Sequence, residues 1–263
     1  MDSTKNFSVE DTSDSDLVNN FSKYGRYTVK NDLELSLPDT KIKITKVGEG
    51  KFSYQRKNST NDVVEKILAF KTKDLLVELA PSLPIHLPSY KTDFMFLRLL
   101  TTLHLGKKAS TELDISVPIE VGLYGIQHNS VHLFDCFMCH PSYPKYGLYG
   151  NPEEGKLCKY AQIALSTSER RSPYAFAKMN LKITNELEKG ISINRIVFPI
   201  TDHDIYYSKD ETLLDPLHVF IKERVGLEMA EVKNMVTDVI GWTKSSRETP
   251  KTDYKYSMEV GFN

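Results

Sequence analysis

The sequence predicts a mainly β protein: an antiparallel β-sandwich, built as one large or two small packed sandwiches, with at most one or two short helices. Three observations predict this fold. Runs rich in β-branched and aromatic residues recur at a spacing of roughly 8–12 residues, as strands do in a sandwich. Glycine, proline and asparagine separate these runs. No long amphipathic pattern alternates with the strands, as a parallel α/β sheet would need.

The clearest strand pair lies in the segment TKIKITKVGEGKFSYQRK, residues 40–57. Ile42 and Ile44 alternate with polar residues, and Phe52 and Tyr54 do the same after a glycine-bearing turn. Side chains that alternate in this way face one side of a strand. The segment therefore predicts a β-hairpin.

Further strands are predicted along the rest of the chain. Residues 66–88 give two strands, which are ended by three prolines, Pro81, Pro84 and Pro88, because proline donates no backbone hydrogen bond. Residues 94–106 fit a strand or a helix, and two adjacent threonines favour the strand. Residues 112–140 predict one strand, a turn near residues 125–130 and a returning strand.

Residues 213–226 leave two interpretations open. Asp215 and Pro216 would suit the start of a short helix, and Gly226 its end. The stretch HVFIKERV, however, alternates as a strand does. The sequence does not decide between helix and strand.

Three regions are predicted. Residues 1–22 form a disordered acidic tail with a net charge of −4 and the Ser/Asp/Asn bias of segments that bury too little apolar surface to fold. Residues 23–242 form the β-rich domain. Residues 243–263 form a polar C-terminal tail, whose last residues could add an edge strand.

Charge and cysteine content narrow the function classes. The chain has 34 Lys and Arg against 35 Asp and Glu, and the net charge of −1 predicts no nucleic-acid binding. No apolar run reaches the roughly 18 residues of a membrane helix, so we expect no membrane insertion. The three cysteines make no disulfide framework, and the N-terminus has no signal-peptide pattern. These features predict a cytoplasmic protein.

Residues 136–160, CFMCHPSYPKYGLYGNPEEGKLCKY, contain two motif-like patterns. The first is Cys136-x-x-Cys139-His140, the pattern of covalent haem attachment. It continues a predicted strand, in which the two thiols would face opposite sides, about 10 Å apart. Adding Cys158 would give four ligands for structural zinc, but no second CxxC completes that pattern. His128 and His132 are separated by three residues, but we expect them in a turn and at a strand start. We expect neither haem nor metal here.

The second pattern is GNPEEGK, residues 150–156, a near match to a phosphate-binding loop. Leu157 stands where serine or threonine would hold magnesium, and Pro152 lacks one of the N–H donors of a phosphate cradle. Glu153 and Glu154 would repel a triphosphate. The sequence therefore predicts no nucleotide site and no cofactor.

Catalytic motifs are equally weak. Asp202-His203-Asp204 could flank a general base, but the simpler interpretation is a loop between two strands. The sequence has no G-x-S-x-G turn. Catalytic residues therefore stay unknown, and no motif identifies an enzyme.

Tyrosines and glycines crowd the segment that follows the cysteine motif. Rings at a strand end can stack on a sugar or a base, or they can clamp a long loop onto the sheet. We expect the clamp, with the rings of Tyr146 and Tyr149 both buried and residues 151–154 forming an exposed turn. At least one glycine of this loop should have a positive φ.

The stretch KYGLYGNPEEGKLCKY, together with SYQRK, APSLPIHLP and DISVPIEVGLY, resembles the DUF432 family of uncharacterised, largely archaeal proteins. The resemblance runs from about Tyr24 to about Asp238, and the LYG segment is its most specific part. Cys136, Cys139 and His140 lie outside the shared pattern. The residues that match this pattern are Lys145, Tyr146, Leu148, Tyr149, Gly150, Gly155, Lys159, Tyr160 and Arg56.

These observations predict a non-catalytic cytoplasmic β-sandwich that binds or regulates a protein or small-molecule partner through the Tyr/Gly-rich LYG loop. The candidate ligand-binding residues are Lys145, Tyr146, Tyr149, Lys159, Tyr160 and Arg56. The structural loop residues are Gly147, Leu148, Gly150 and Gly155. Two alternatives stay open: a hydrolase or carbohydrate-active enzyme with Lys145, Arg56, or Asp202 and His203 near the loop, and a structural zinc protein.

Overall fold

The computed structural model describes residues 22–60, 62–127, 130–139, 145–165, 171–236 and 239–248. Within these residues the chain is mainly β, with eighteen strands in four sheets and one turn of 3-10 helix at Ile200–Asp202. None of its described helical residues forms a helix long and apolar enough to cross a membrane. The predicted antiparallel β-sandwich is confirmed. The acidic tail lies outside the described residues, except for Ser22.

The first sandwich consists of two four-stranded sheets. Sheet 1 contains, in chain order, β1 (Gly25–Val29), β6 (Leu75–Ser82), β9 (Glu120–Gln127) and β10 (Ser130–Phe137). Sheet 2 contains β2 (Asp32–Leu37), β3 (Thr40–Gly48), β4 (Lys51–Asn58) and β5 (Val63–Ala69). In both sheets the strands lie side by side in this order. One apolar core lies between the sheets and includes Ile42, Ile44, Phe52, Val77 and Leu123.

The second sandwich is built from the other two sheets. Sheet 3 has the order β11-β12-β7-β14, with the strands β7 (Phe94–Leu105), β11 (Lys145–Tyr149), β12 (Lys156–Ile163) and β14 (Ile191–Pro199). Sheet 4 consists of β8 (Ser110–Pro118), β13 (Phe176–Asn185), β15 (Ile205–Tyr207), β16 (Thr212–Arg224), β17 (Leu227–Asn234) and β18 (Thr243–Lys244). Its order is β18-β15-β16-β13-β8, and β17 also pairs with β16. The second core includes Leu97, Ile115, Met179, Phe198 and Leu217.

The predicted hairpin of residues 40–57 is confirmed as β3 and β4. Its turn depends on Gly50, which has a φ of +62°. A Cβ atom at this position would lie 2.3 Å from the carbonyl oxygen of Phe70. Only glycine fits this turn, since the backbone is left-handed and a neighbouring chain approaches closely.

The segment of residues 213–226 is a strand and its turn, not a helix. In β16, Leu217 and Val219 are buried on one face, and the strand pairs with β13 in parallel and with β17 in antiparallel. A register shift in the β13 pairing accommodates Pro216, which cannot donate a ladder hydrogen bond. Val225 and Gly226, with φ of 53° and 73°, form the two-residue turn to β17. Asp215 and Pro216, which suited a helix start, therefore lie at an irregularity of the strand, and Gly226, which suited a helix end, lies in a hairpin turn.

The single strand predicted between residue 112 and the turn near residues 125–130 is two strands in different sandwiches. The chain leaves sheet 4 after Pro118, and it enters sheet 1 at Glu120. The connection between β6 and β7, residues 83–93, crosses in the opposite direction. These two crossings bring residues that are distant in sequence to the junction of the sandwiches.

Pro81, the first of the three prolines predicted to end the second strand, lies inside β6, which continues to Ser82. Pro81 pairs with Val121 of β9, whereas β1 on the other side reaches only Leu79. At Pro81 the strand therefore has one neighbour, and no ladder bond from its nitrogen is needed on the open side.

The start of the predicted C-terminal tail is attached to both sandwiches. Thr243 and Lys244 pair with β15. The backbone N–H and hydroxyl of Ser246 donate to the carboxylate of Glu78, which is fully buried, at 3.1 and 2.8 Å. These contacts fix residues 243–248 against the body of the protein, and residues 249–263 lie outside the described part of the chain.

Candidate functional site

The LYG segment lies in a β-hairpin. Strands β11 and β12 pair from Lys145 opposite Tyr160 to Tyr149 opposite Lys156. Within the turn, the Gly155 N–H donates to the carbonyl of Asn151 at 2.8 Å. The LYG segment, which the sequence predicted as a loop, is thus a regular strand, Lys145–Tyr149, followed by a turn of six residues, 150–155.

The turn of this hairpin requires two of the predicted structural glycines. Gly150 has a φ of +108°, as expected for at least one glycine here. A Cβ atom on Gly155 would lie 2.3 Å from the carbonyl oxygen of Asn151. Residues 151–154 are exposed, in agreement with the predicted turn.

The expectation that Tyr146 and Tyr149 both bury their rings was wrong for Tyr149. Residues three apart in an extended strand face opposite sides of the sheet. Tyr146 lies on the inner side of the hairpin but is only half-buried, and its hydroxyl donates to the carbonyl of Ser89 at 2.9 Å. Tyr149 faces outward with 43% of its surface exposed, and its ring meets the edge of Phe96 at 6.0 Å. The two tyrosines therefore serve different surfaces.

We expect Tyr149→Ala to lower the free energy of unfolding by about 1 kcal/mol or less, because the ring is half exposed and loses only its contacts with Phe96 and the Arg195 guanidinium. Equilibrium urea denaturation measures this change. Glu153→Ala, in the exposed turn, is the control and should cost less than about 0.5 kcal/mol. A loss near 3 kcal/mol for Tyr149→Ala would show that the ring clamps the hairpin after all.

The outer end of this hairpin forms one wall of a cleft of about 480 Å³, which we call the hairpin cleft. The hairpin contributes Tyr149, Asn151, Glu154 and Lys156. Strand β14, at the edge of sheet 3, contributes Arg195 and Val197. The opposite wall is apolar and consists of Ile183, Val219, Ile221, Ala230 and Val232. The cleft thus separates the edge of sheet 3 from the β16–β17 hairpin.

Two cations lie at the hairpin cleft. The guanidinium carbon of Arg195 is 6.0 Å from the ring centre of Tyr149, and the Lys156 ammonium is 4.2 Å from that of Phe94. Within the described part of the chain, neither cation forms an ion pair with an acidic side chain. Such cations over aromatic rings can bind an anionic group.

Lys159 belongs to a buried polar cluster on the inner side of the same hairpin. Its ammonium donates to the carbonyl of Leu87 and lies 3.9 Å from Glu120 Oε1. Only 5% of the Lys159 side chain and none of the Glu120 side chain is exposed. Burial lowers the pKa of Lys159, and the charge of Glu120 partly opposes that shift.

Glu120 organises this cluster at the junction of the two sandwiches. Its Oε1 accepts from the backbone N–H of Leu87 at 3.1 Å, and its Oε2 accepts from the backbone N–H of His86 at 2.9 Å. The Oε2 atom also contacts the Cys136 thiol at 3.3 Å and His86 Nδ1 at 3.2 Å. Burial and the neighbouring carboxylate raise the pKa of Cys136 well above its ordinary value.

Sequence reasoning named Lys159 as a candidate binding residue and rejected Cys136 as a haem or metal ligand, and it missed their partners His86 and Glu120. The only local signal is at Glu120, a charged residue between Ile119 and Val121 where both neighbours are apolar. Ile119, Glu120 and Val121 are all fully buried. A buried carboxylate in such a run has to be paired, but the sequence does not show with what.

Arg56 lies away from the hairpin, in the first sandwich. Its Nε donates to Asp135 Oδ2 at 2.7 Å, and its guanidinium stacks on Phe137 with its carbon 4.8 Å from the ring centre. Tyr54 and Lys66 donate to the same carboxylate. The structure therefore does not bring Arg56 together with the LYG segment, and it places Arg56 in a buried ion pair.

The remaining candidates do not converge on a catalytic site either. Lys145 is exposed at the start of β11, and the Tyr160 ring packs edge-on against Phe96 at 5.4 Å. His203 is fully buried against Phe198, and burial lowers its pKa. Asp202 ends the 3-10 turn. These groups lie in separate surroundings.

The three cysteines also lie in different places. Cys136 contacts Glu120. Cys139 packs against the core of the first sandwich, and Cys158 is buried in β12. His140, the last residue of the haem-like motif, lies outside the described residues.

Comparison with known proteins identifies the family of the chain. The family model described as a protein of unknown function (DUF432) matches residues 23–253. The chain therefore belongs to the DUF432 family, and the predicted resemblance is confirmed. No curated protein and no solved structure matches the chain.

Proposed function

We propose that this member of the DUF432 family is a non-catalytic, cytoplasmic binding module that holds a small amphipathic molecule in the hairpin cleft. The ligand would have an apolar body and one anionic group. The observation that supports this most is the composition of the cleft: one wall is apolar, and on the other lie two cations that form no ion pair within the described residues. Ligand sites commonly combine apolar walls with a few placed polar groups.

The apolar body of the ligand would lie against β16 and β17. Val219 pairs with Val232 across these strands, and Ile221 pairs with Ala230, so the four side chains form one continuous surface. Burial of apolar ligand surface there would supply most of the affinity, at roughly 25 cal/mol per Å².

The anionic group would lie between Arg195 and Lys156. Arginine offers several donors in a planar fork that suits a carboxylate, sulfonate or phosphate. Glu154 also lines the cleft and leaves the local charge at about one positive unit. One anionic group would balance this charge, whereas a polyanion would meet Glu154.

The cytoplasmic assignment rests on the thiols. All three cysteines are free, and none has a second cysteine as partner. Free buried thiols are typical of proteins from reducing compartments.

A pair of fluorescent probes tests the proposal. 8-Anilinonaphthalene-1-sulfonate has an apolar body and one anionic group, and N-phenyl-1-naphthylamine has the same body without the sulfonate. We expect the protein to bind the sulfonate more tightly than the neutral probe. Arg195→Glu should weaken binding of the sulfonate by tenfold or more, about 1.4 kcal/mol, and leave the neutral probe almost unchanged.

Lys57→Glu provides the matched control, because Lys57 is exposed on β4 of the other sandwich and the change of charge is the same. Titrations at two salt concentrations separate a specific contact from long-range attraction. Equal losses in both variants, or no preference for the sulfonate in the unmodified protein, would refute an anion subsite in the cleft.

A further inference from the structure

We propose that His86, Glu120 and Cys136 form a metal site that takes a borderline divalent cation, with Zn²⁺ as the best match. One ligand atom from each residue, a His86 ring nitrogen, a Glu120 carboxylate oxygen and Cys136 Sγ, lies within 4.8 Å of the others. This site lies on the inner side of the β11–β12 hairpin and is independent of the proposed ligand cleft. Among the residues that the structure describes, it is the only such cluster of three.

The spacing of the donors fits tetrahedral coordination. Zinc lies about 2.0–2.1 Å from nitrogen and oxygen ligands and about 2.3 Å from sulfur, so neighbouring ligand atoms are about 3.3–3.7 Å apart. Glu120 Oε2 is 3.2 Å from His86 Nδ1 and 3.3 Å from Cys136 Sγ. Small rotations of the three side chains suffice to surround one ion.

The donor types select zinc over magnesium or calcium. A thiolate and an imidazole are softer ligands than the oxygen sets that the two hard cations require. The Cys136 thiol, which now donates to Glu120, would lose its proton to solvent when the Sγ–metal bond forms. The imidazole would bind through Nδ1 and carry its proton on Nε2, which has no hydrogen-bond partner among the described residues.

Lys159 does not occupy the proposed metal position. It lies on the other carboxylate oxygen, Oε1, at 3.9 Å, and its ammonium is held by the carbonyl of Leu87. The Glu120 carboxylate can therefore face the lysine with one oxygen and the metal with the other. Carboxylate ligands in metal sites commonly have such a second partner.

A bound ion would link three segments that the fold brings together at the junction of the sandwiches. His86 lies in the connection from β6 to β7, Glu120 follows the crossing from β8 to β9, and Cys136 lies in β10. A fourth coordination position would be left for water or for the Ser82 hydroxyl, which lies 3.3 Å from His86 Nδ1.

Cobalt titration tests the site, since Co²⁺ replaces zinc and reports its ligands by absorbance. Untagged protein is treated with a chelator, kept reduced with a phosphine and titrated with Co²⁺. We expect one equivalent to produce the visible bands of tetrahedral cobalt and a near-ultraviolet thiolate-to-cobalt band. Zinc should displace both. Absence of these bands in the unmodified protein would overturn the proposal.

Variants identify the ligands. Cys136→Ser should abolish the thiolate band, and His86→Gln should weaken cobalt binding by tenfold or more. Cys158→Ser is the matched control, because Cys158 is a buried thiol that is not in the cluster, and it should leave the spectrum unchanged. Circular dichroism in chelator checks that each variant is folded. A thiolate band that persists in Cys136→Ser, or disappears in Cys158→Ser, would refute the assignment.

Discussion

Replacing Asp135 with alanine is expected to lower the free energy of unfolding by about 3–5 kcal/mol, the cost of removing one partner from a buried ion pair. A domain of this kind is stabilised by about 5–15 kcal/mol in total, so the change would remove a large part of its stability. The expected effect follows from how many buried groups depend on this one carboxylate.

Three side chains donate to Asp135. Tyr54 Oη and Arg56 Nε bind Oδ2 at 2.5 and 2.7 Å, and Lys66 Nζ binds Oδ1 at 3.1 Å. The Tyr54 residue is fully buried, and only 12% of the Arg56 side chain is exposed. Burial raises the pKa of Tyr54, so its hydroxyl keeps its proton and remains a donor. Without Asp135, a guanidinium and a hydroxyl would stay buried without their acceptor.

Equilibrium urea denaturation of the variant and the unmodified protein, both in chelator, measures the loss. Glu65→Ala is a suitable control, because this carboxylate is exposed on β5 of the same sandwich and accepts only from Gln55 in the described structure. It should cost less than about 0.5 kcal/mol. A cost below about 1 kcal/mol for Asp135→Ala would contradict this prediction. It would mean that water enters the sandwich and accepts the hydrogen bonds of Tyr54 and Arg56 in place of the carboxylate.

The strands of this protein could be predicted where the pattern of one segment decides the structure. Ile42 and Ile44 alternate with polar residues because β3 has one buried face and one solvated face. The same rule fails at Ile119, where a single apolar residue links β8 to β9 and no glycine or asparagine marks the crossing between the sandwiches. It also left residues 213–226 open, because Pro216 and Gly226 suit both a helix and an interrupted strand. Tertiary pairing with β13 and β17 decides that segment.

The candidate sites were less predictable, because their residues meet only in the folded chain. The LYG segment was identified from its tyrosines and glycines, but whether a ring is buried depends on strand alternation, which placed Tyr149 outward. His86 and Glu120 are 34 residues apart in sequence and meet across two different crossings. The Arg195 guanidinium comes to the hairpin cleft only because β14 forms the edge of its sheet. No local pattern contains this information.

Glu120 is the second carboxylate whose removal should have a large effect. It is fully buried, accepts hydrogen bonds from the backbone N–H groups of His86 and Leu87, and forms an ion pair with the Lys159 ammonium at 3.9 Å. A buried donor that loses its acceptor costs about 1–3 kcal/mol, and an unpaired buried charge costs more. The carbonyl of Leu87 also holds Lys159, so the connection from β6 to β7 and the inner side of the β11–β12 hairpin depend on the same group.

We therefore expect Glu120→Ala to lower the free energy of unfolding by about 3–5 kcal/mol in urea denaturation. Chelator is present throughout, so that a bound metal cannot contribute to the difference.

The variant Lys159→Met tests whether the ion pair with Lys159 causes part of this loss. In the Glu120→Ala background it should cost less than in the unmodified protein, or increase stability, because it removes an unpaired buried charge. Amide exchange at His86 and Leu87 should accelerate in Glu120→Ala, since both N–H groups lose their acceptor. Equal costs of Lys159→Met in the two backgrounds would contradict the ion pair and leave the hydrogen bonds from the two backbone N–H groups and the Cys136 thiol as the contribution of Glu120.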